Sequence, residues 1–265
     1  MRKILSILIV ITLASCSKYQ KLMKDGTPQE KLDAAKKYYG DKDYLRAQPL
    51  LEELLGLYNG RKEREEIYYL YSYSYFGTED FLLAGYHFNN FATTYALSTK
   101  KEEALYMSAV CKYKKAMPTE LDQTPTQNAI NALQAFINQY PNSAYVSECN
   151  TKMDELRMRL LKKVYENAKL YHSLGYYNSA LVACQNAVED YPDMVNRDEL
   201  SFLMVDAAYL FAQNSITKKQ LERYSETLIK VKEFNQEFDT DSKYSKPVLK
   251  IKNKTEAAIA ELNKE

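Results

Sequence analysis

The sequence predicts an all-α protein, an α-solenoid of about five irregular helical hairpins with a C-terminal capping helix. Three observations carry this reading. Residues 164–192, VYENAKLYHSLGYYNSALVACQNAVEDYP, place small, aromatic and turn residues at the spacing of two antiparallel helices. Related spacings recur along most of the chain. Tyr is abundant (24) while Gly and Pro number seven each, too little turn chemistry for an all-β protein.

Within residues 164–192, Ala168, Tyr171, Gly175, Tyr177, Ala180, Cys184, Ala187 and Pro192 match a tetratricopeptide (TPR) repeat. Ala168 and Ala180 are small where the helices should cross, and Tyr171, Tyr177 and Cys184 should fill the space around that contact. Gly175 permits the turn. Pro192 stops the second helix, since it lacks an N–H and disfavours helix in the residue before it. One such hairpin cannot bury its apolar faces alone, so it calls for stacked neighbours.

In chain order, Arg2 and Lys3 precede an apolar stretch, residues 4–13, too short to span a bilayer stably. It ends in Leu13-Ala14-Ser15-Cys16, which resembles a bacterial lipobox. Residues 1–15 are therefore expected to be a signal peptide, with Cys16 the lipidation site. Fatty chains contribute ~0.8 kcal/mol per buried methylene, enough for a durable anchor when two or three are attached. Ser17, where an Asp would resemble an inner-membrane retention signal, points to the outer membrane. Residues 16–26 then read as lipidated Cys and polar tether, 27–240 as TPR array and 241–265 as capping helix.

The first repeat covers residues 27–58, with Ala35 and Tyr38 on its first helix and Tyr44, Ala47, Leu51 and Leu54 on its second. Residues 41–43 make the turn, and Pro49 should bend the second helix or delay its start. The second repeat, 65–95, repeats these positions 37 residues later as Ser72, Tyr75, Phe81, Ala84, Phe88 and Phe91, near the ~34 of a plain TPR. Residues 61–66, a charge run, read as a solvated helix start. The third repeat, carrying Leu105, Ala109 and Cys111 and then Ala129, Leu133 and Phe136, holds a Thr-, Pro- and Asp-rich insertion at 117–126. A helix over 146–161 leads into the fourth repeat. The fifth uses Ala208, Phe211, Tyr224, Thr227, Val231 and Phe234, with a lengthened turn at 214–219. The last helix should be capped by Ser245 and bury Val248, Ile251, Thr255, Ile259 and Leu262.

Net charge is +1 with the signs interspersed, so no basic face points to nucleic acid. No Walker A, G-x-S-x-G or H-E-x-x-H motif occurs, and no Cys/His pair has metal-ligand spacing. His87 and His172 are 85 residues apart, and His172 reads as a surface or groove residue. An enzyme, a metal site and a cofactor are not expected, apart from the covalent lipid on Cys16. Processing would leave 34 basic against 35 acidic side chains and the cysteines Cys111, Cys149 and Cys184, read as three buried thiols.

Phe136-Ile137-Asn138-Gln139-Tyr140-Pro141-Asn142-Ser143-Ala144-Tyr145 resembles the FI-x-x-YPNS-x-Y block of the BamD family, lipoproteins of the outer-membrane β-barrel assembly machinery. Residues 164–193 resemble that family's next repeat, and the opening Cys16-Ser17-Lys18-Tyr19-Gln20-Lys21 fits its Bacteroidetes branch. The resemblance covers residues 16 to about 240. It implies a non-catalytic scaffold, lipid-anchored at the periplasmic face of the outer membrane. Its C-terminal repeats would dock a BamA-type barrel insertase and its N-terminal repeats would receive unfolded barrel proteins. The residues themselves give a compatible groove on the first helices of repeats one and two: Leu32, Lys36, Tyr39, Tyr69, Tyr73 and Phe76. Tyrosines offer apolar area with hydroxyls, suited to an extended peptide. Packing of these rings against neighbouring helices is the competing explanation. A TPR adaptor for cell-wall or division proteins and a glycan-binding TPR lipoprotein are the alternative functions.

Overall fold

The computed structural model describes residues 18–192, 196–238 and 242–264. Cys16 and the rest of the lipobox lie outside the described residues. Among the described residues the chain is all-helical, with twelve helices and no strand. It divides into two compact units, one holding the chain to Met117 together with Asp122–Leu156, the other Pro118–Leu121 and everything from Arg157 on.

The first unit contains α1 (18–25), α2 (Pro28–Gly40), α3 (Tyr44–Leu57), α4 (Glu63–Gly77), α5 (Phe81–Thr94), α6 (Lys101–Lys114), α7 (Thr124–Gln139) and the start of α8 (Val146–Ser173). The helices begin where side chains can satisfy orphan N–H groups. Thr27 and Glu30 form a capping box at α2, Asp43 accepts from the Arg46 N–H at α3, and Asp80 accepts from the Leu83 N–H at α5. Ala35, Ala47, Leu51 and Leu54 are fully buried, as are Ala84, Phe88 and Phe91 at the matching positions of the second hairpin. Each large apolar side chain so buried stabilises by roughly 1.5–3 kcal/mol. Close approach also fixes Gly77: a Cβ there would come within 2.2 Å of the Tyr44 ring.

The second unit contains the rest of α8, then α9 (Tyr177–Asp190), α10 (Arg197–Gln213), α11 (Thr217–Glu237) and α12 (Ser245–Leu262). Ala168, Ala180, Cys184 and Ala187 are fully buried, as the hairpin spacing predicts. Tyr224, Thr227, Val231 and Phe234 are buried on α11, and Val248, Ile251 and Thr255 on α12.

Three turns share one backbone geometry. Lys42, Glu79 and Gly175 take φ of 59°, 61° and 78°. Only the fourth repeat uses the residue for which this conformation is free of Cβ strain.

Several expectations are corrected. Residues 18–25, read as a polar linker, are helical, because Tyr19, Leu22 and Met23 pack on the first core and the Tyr19 hydroxyl donates to the Arg46 carbonyl at 3.1 Å. Pro49 does not delay α3, which starts at Tyr44 and runs through it. The carbonyl left without a donor belongs to Leu45, an exposed residue that water can reach. The helix expected to end at 161 continues unbroken to Ser173 as α8. Tyr171 does not fill the core; it is exposed, because Leu181, Cys184 and Ala187 already occupy that space. The turn of the fifth repeat is only residues 214–216, and the extra length lies in α10 and α11 themselves. Ser245 is the first residue of α12 and not its cap, which is Tyr244.

Candidate functional site

α2 and α4 carry the residues singled out from the sequence, and α6 adds a charged centre to them. Tyr69 and Tyr73, one turn apart on α4, meet edge to face with centroids 4.9 Å apart. Tyr73 also stands edge-on to the fully buried Phe88 at 4.8 Å, and Tyr69 lies 5.5 Å from Phe91. Both rings thus pack against the aromatic side of α5. Phe76 contacts Phe81 at 5.4 Å and lies 6.5 Å from Tyr73. Tyr39 rests edge-on against Tyr44 at 5.6 Å. All four predicted side chains are part-buried. Leu32 is different: it is buried in the first core, because α1 supplies apolar side chains that pack against that core.

Electrostatics tie these rings together. The Tyr73 hydroxyl donates to Glu103 on α6. Burial raises the Tyr69 and Tyr73 hydroxyls far above the usual tyrosine value, and hydrogen bonding to the Glu103 carboxylate raises them further. Burial pushes Tyr39 up to about 12, with smaller contributions from Tyr44 and Glu103. All three therefore stay protonated donors at neutral pH. The Lys100 ammonium sits 4.4 Å above the Tyr69 ring, a cation–π contact. Lys36 pairs with Glu66 at 2.8 Å. The result is an aromatic surface with protonated hydroxyls, two carboxylates and two cations.

Glu103 and Lys100 were not singled out from the sequence. The signal was present, because Glu103 follows Glu66 by the same 37 residues that relate the first two repeats. The insertion that obscures the third repeat lies after α6, in the loop 115–123.

The YPNS block has a local structural task. Phe136 closes α7, with Tyr140 5.4 Å from its ring, and Ser143 accepts from the Tyr145 N–H. Tyr145 stacks on Tyr106 of α6 at 4.1 Å and 9°.

In the second unit the equivalent helices carry charge. His172 Nε2 lies 2.8 Å from Asp206 Oδ2. Lys169 reaches Glu199 at 3.5 Å and donates to the Tyr165 hydroxyl oxygen at 3.2 Å. A cavity of about 490 Å³ beside α8 is lined by Met158, Leu161, Lys162 and Tyr165 among others. Cys111, Cys149 and Cys184 are unpaired and buried. Burial pushes their thiols up to about 12, 11 and 12, so none is a ready nucleophile. Among the described residues no group of three His, Cys, Asp or Glu could hold a metal, and no helix is long and apolar enough to cross a membrane.

The profile of the YfiO family of outer membrane lipoproteins matches residues 24–224. The chain belongs to the YfiO family. The match runs from the end of α1 into α11, so the tyrosine surface and the ion-paired helices both fall within the YfiO region. The outer membrane protein assembly factor BamD of Caulobacter vibrioides is 23% identical over 131 residues, 49% of this chain and 43% of that protein. The aligned part thus spans less than half the length of that relative.

Proposed function

We propose that this chain is a non-catalytic scaffold lipoprotein of outer-membrane β-barrel assembly. It is anchored through lipid on Cys16 at the periplasmic face, receives unfolded barrel segments at Tyr39, Tyr69, Tyr73 and Phe76, and docks a BamA-type insertase through its later repeats. The observation that carries this reading is the YfiO match extending across a surface of half-buried tyrosines. An extended peptide needs apolar pockets for its side chains and donors for its carbonyls, and protonated tyrosines supply both. The likeness to an assembly factor supports the process, and the aromatic surface supports the class of ligand.

Two measurements test it. Metabolic labelling with a fatty-acid analogue is expected to tag the wild type and not Cys16→Ala; an equally tagged variant removes Cys16 as the anchor. Losing a hot-spot contact costs about 2 kcal/mol or more, which is at least tenfold in affinity. Tyr69→Ala with Tyr73→Ala is therefore expected to weaken binding of a barrel protein's C-terminal peptide at least tenfold by fluorescence anisotropy, while co-purification with the insertase persists. Unchanged peptide affinity in a folded variant excludes these tyrosines. Recovery of division or glycan-uptake proteins in place of an insertase assigns the scaffold to another process.

A further inference from the structure

We propose that a second track, over the C-terminal end of α6, docks an extended acidic polypeptide segment. Two cavities meet there. One, of about 350 Å³, is lined by Leu82, Tyr86 and Asn89 of α5. The other, of about 690 Å³, is lined by Met117 and by Asn128, Asn131, Ala132 and Ala135 of α7. Lys112 and Lys115 line both, so the two adjoin at these side chains and together make the track. None of Tyr39, Tyr69, Tyr73 and Phe76 lines it; Phe81, which contacts Phe76, lines the first cavity.

The chemistry of the lining selects the ligand. No acidic side chain lines either cavity, and among the described residues neither Lys112 nor Lys115 has an ion-pair partner. Both side chains are exposed. Lysines near a helix C-terminus complement its dipole, which accounts for their presence on α6. It does not account for what flanks them. Leu82 and Tyr86 are 64% and 59% exposed, an unusual outlay of apolar surface beside two bare cations. Asn89 and Asn128 each offer a donor and an acceptor, the pair of groups that an extended main chain presents in return, and Asn131 offers its amide N–H while its Oδ1 accepts from Gln127. The floor is held open by close helix contact: the Ser108 hydroxyl donates to the Gly85 carbonyl at 3.0 Å, and a Cβ on Gly85 would meet the Cys111 Cβ at 3.1 Å. Apolar edges, flanking amides and uncompensated cations together fit a strand-like segment alternating acidic with apolar residues.

The test uses the full chain in detergent and fluorescein-labelled ten-residue peptides of Val, Ala and Ser carrying no, two or four Asp at alternate positions. Affinity is expected to rise at least tenfold from none to four Asp and to weaken with added salt. Lys112→Gln with Lys115→Gln should abolish the dependence on Asp content, and the paired Lys→Arg variant should keep it. Tyr69→Ala with Tyr73→Ala should leave it unchanged, which separates this track from the proposed barrel-substrate surface. Circular dichroism melts of each variant confirm folding. Absence of peptide binding, binding indifferent to Asp content, or dependence that survives in the Gln variant would overturn the proposal. So would anionic phosphatidylglycerol vesicles binding the wild type over the Gln variant without any peptide discrimination, which would assign the lysines to a lipid surface.

Discussion

The two units build the same kind of helix face from opposite materials. On α2, α4 and α6 the face is aromatic, with Tyr39, Tyr69, Tyr73 and Phe76 packed against neighbouring rings and the Tyr73 hydroxyl bonded to the Glu103 carboxylate. On α8 and α10 it is polar, with a His172–Asp206 side-chain contact, a Lys169–Glu199 ion pair and few rings. An aromatic face gains from losing water, whereas part-exposed ion pairs of this kind contribute about 0–1 kcal/mol and are weakened by salt. One architecture therefore carries an aromatic face in one unit and a polar, salt-sensitive one in the other.

The comparison breaks most sharply at the buried phenylalanines. Phe88→Ala and Phe234→Ala each remove a buried ring and should each cost about 3–5 kcal/mol in urea unfolding. Only Phe88 supports Tyr73, so only its loss should also weaken peptide binding at the tyrosine surface. Equal effects of both variants on the peptide would mean that the ring support is irrelevant.

Two glycines sharpen it at smaller cost. Gly77→Ala drives a methyl into the Tyr44 ring, an overpacking expected to cost about 1–3 kcal/mol and to disturb Tyr39, which leans on that ring. Gly175→Ala meets no neighbour but must hold φ near +78°, a cost of about 1–2 kcal/mol. Urea midpoints measure both. A ligand-binding defect confined to Gly77→Ala is the expected asymmetry, and its absence would uncouple Tyr44 from the surface.

The smallest effect is a pH slope from His87. Four tyrosine rings surround this imidazole: Tyr75 stacks at 4.9 Å, Tyr68, Tyr71 and Tyr86 stand edge-on, and the Tyr68 hydroxyl lies 3.3 Å from Nδ1. Burial lowers its pKa, and Asp80 opposes this only in part. The unfolded chain then binds a proton that the folded chain resists. Stability is fully present above the unfolded value, about 6.5, and is lost as pH falls toward the folded one. Tm measured from about pH 7 to pH 5 should fall in the wild type and fall less in His87→Phe; identical slopes would clear His87.

Much of the fold was legible because it is written in small residues. Ala35, Ala47, Ala84, Ala168 and Ala180 mark helix crossings and are all fully buried. Where a signal depended on a neighbour not yet placed, reading the chain failed. Tyr171 was assigned to a core that Leu181 and Cys184 already fill, and Leu32 to a surface facing an α1 taken for linker. Turn length misled in a similar way: polar residues 217–219 form the first turn of α11, where the Lys219 N–H bonds the Ile216 carbonyl at 2.8 Å. The tyrosine positions followed from the 37-residue offset, but Glu103 was masked by an insertion that lies beyond it.

The hydrogen bond from Tyr73 to Glu103 has an optical consequence. The chain has 24 tyrosines and no tryptophan, so nothing drains tyrosine excited states by energy transfer to indole. Its ultraviolet emission is a tyrosine signal throughout. A phenol bonded to a carboxylate loses its excited-state proton readily and emits weakly, so Tyr73 is expected to be quenched while Glu103 holds it. A ligand that took over that hydroxyl, or drew the carboxylate away, would brighten the ring, and intrinsic tyrosine emission would then report occupancy of this face without a dye.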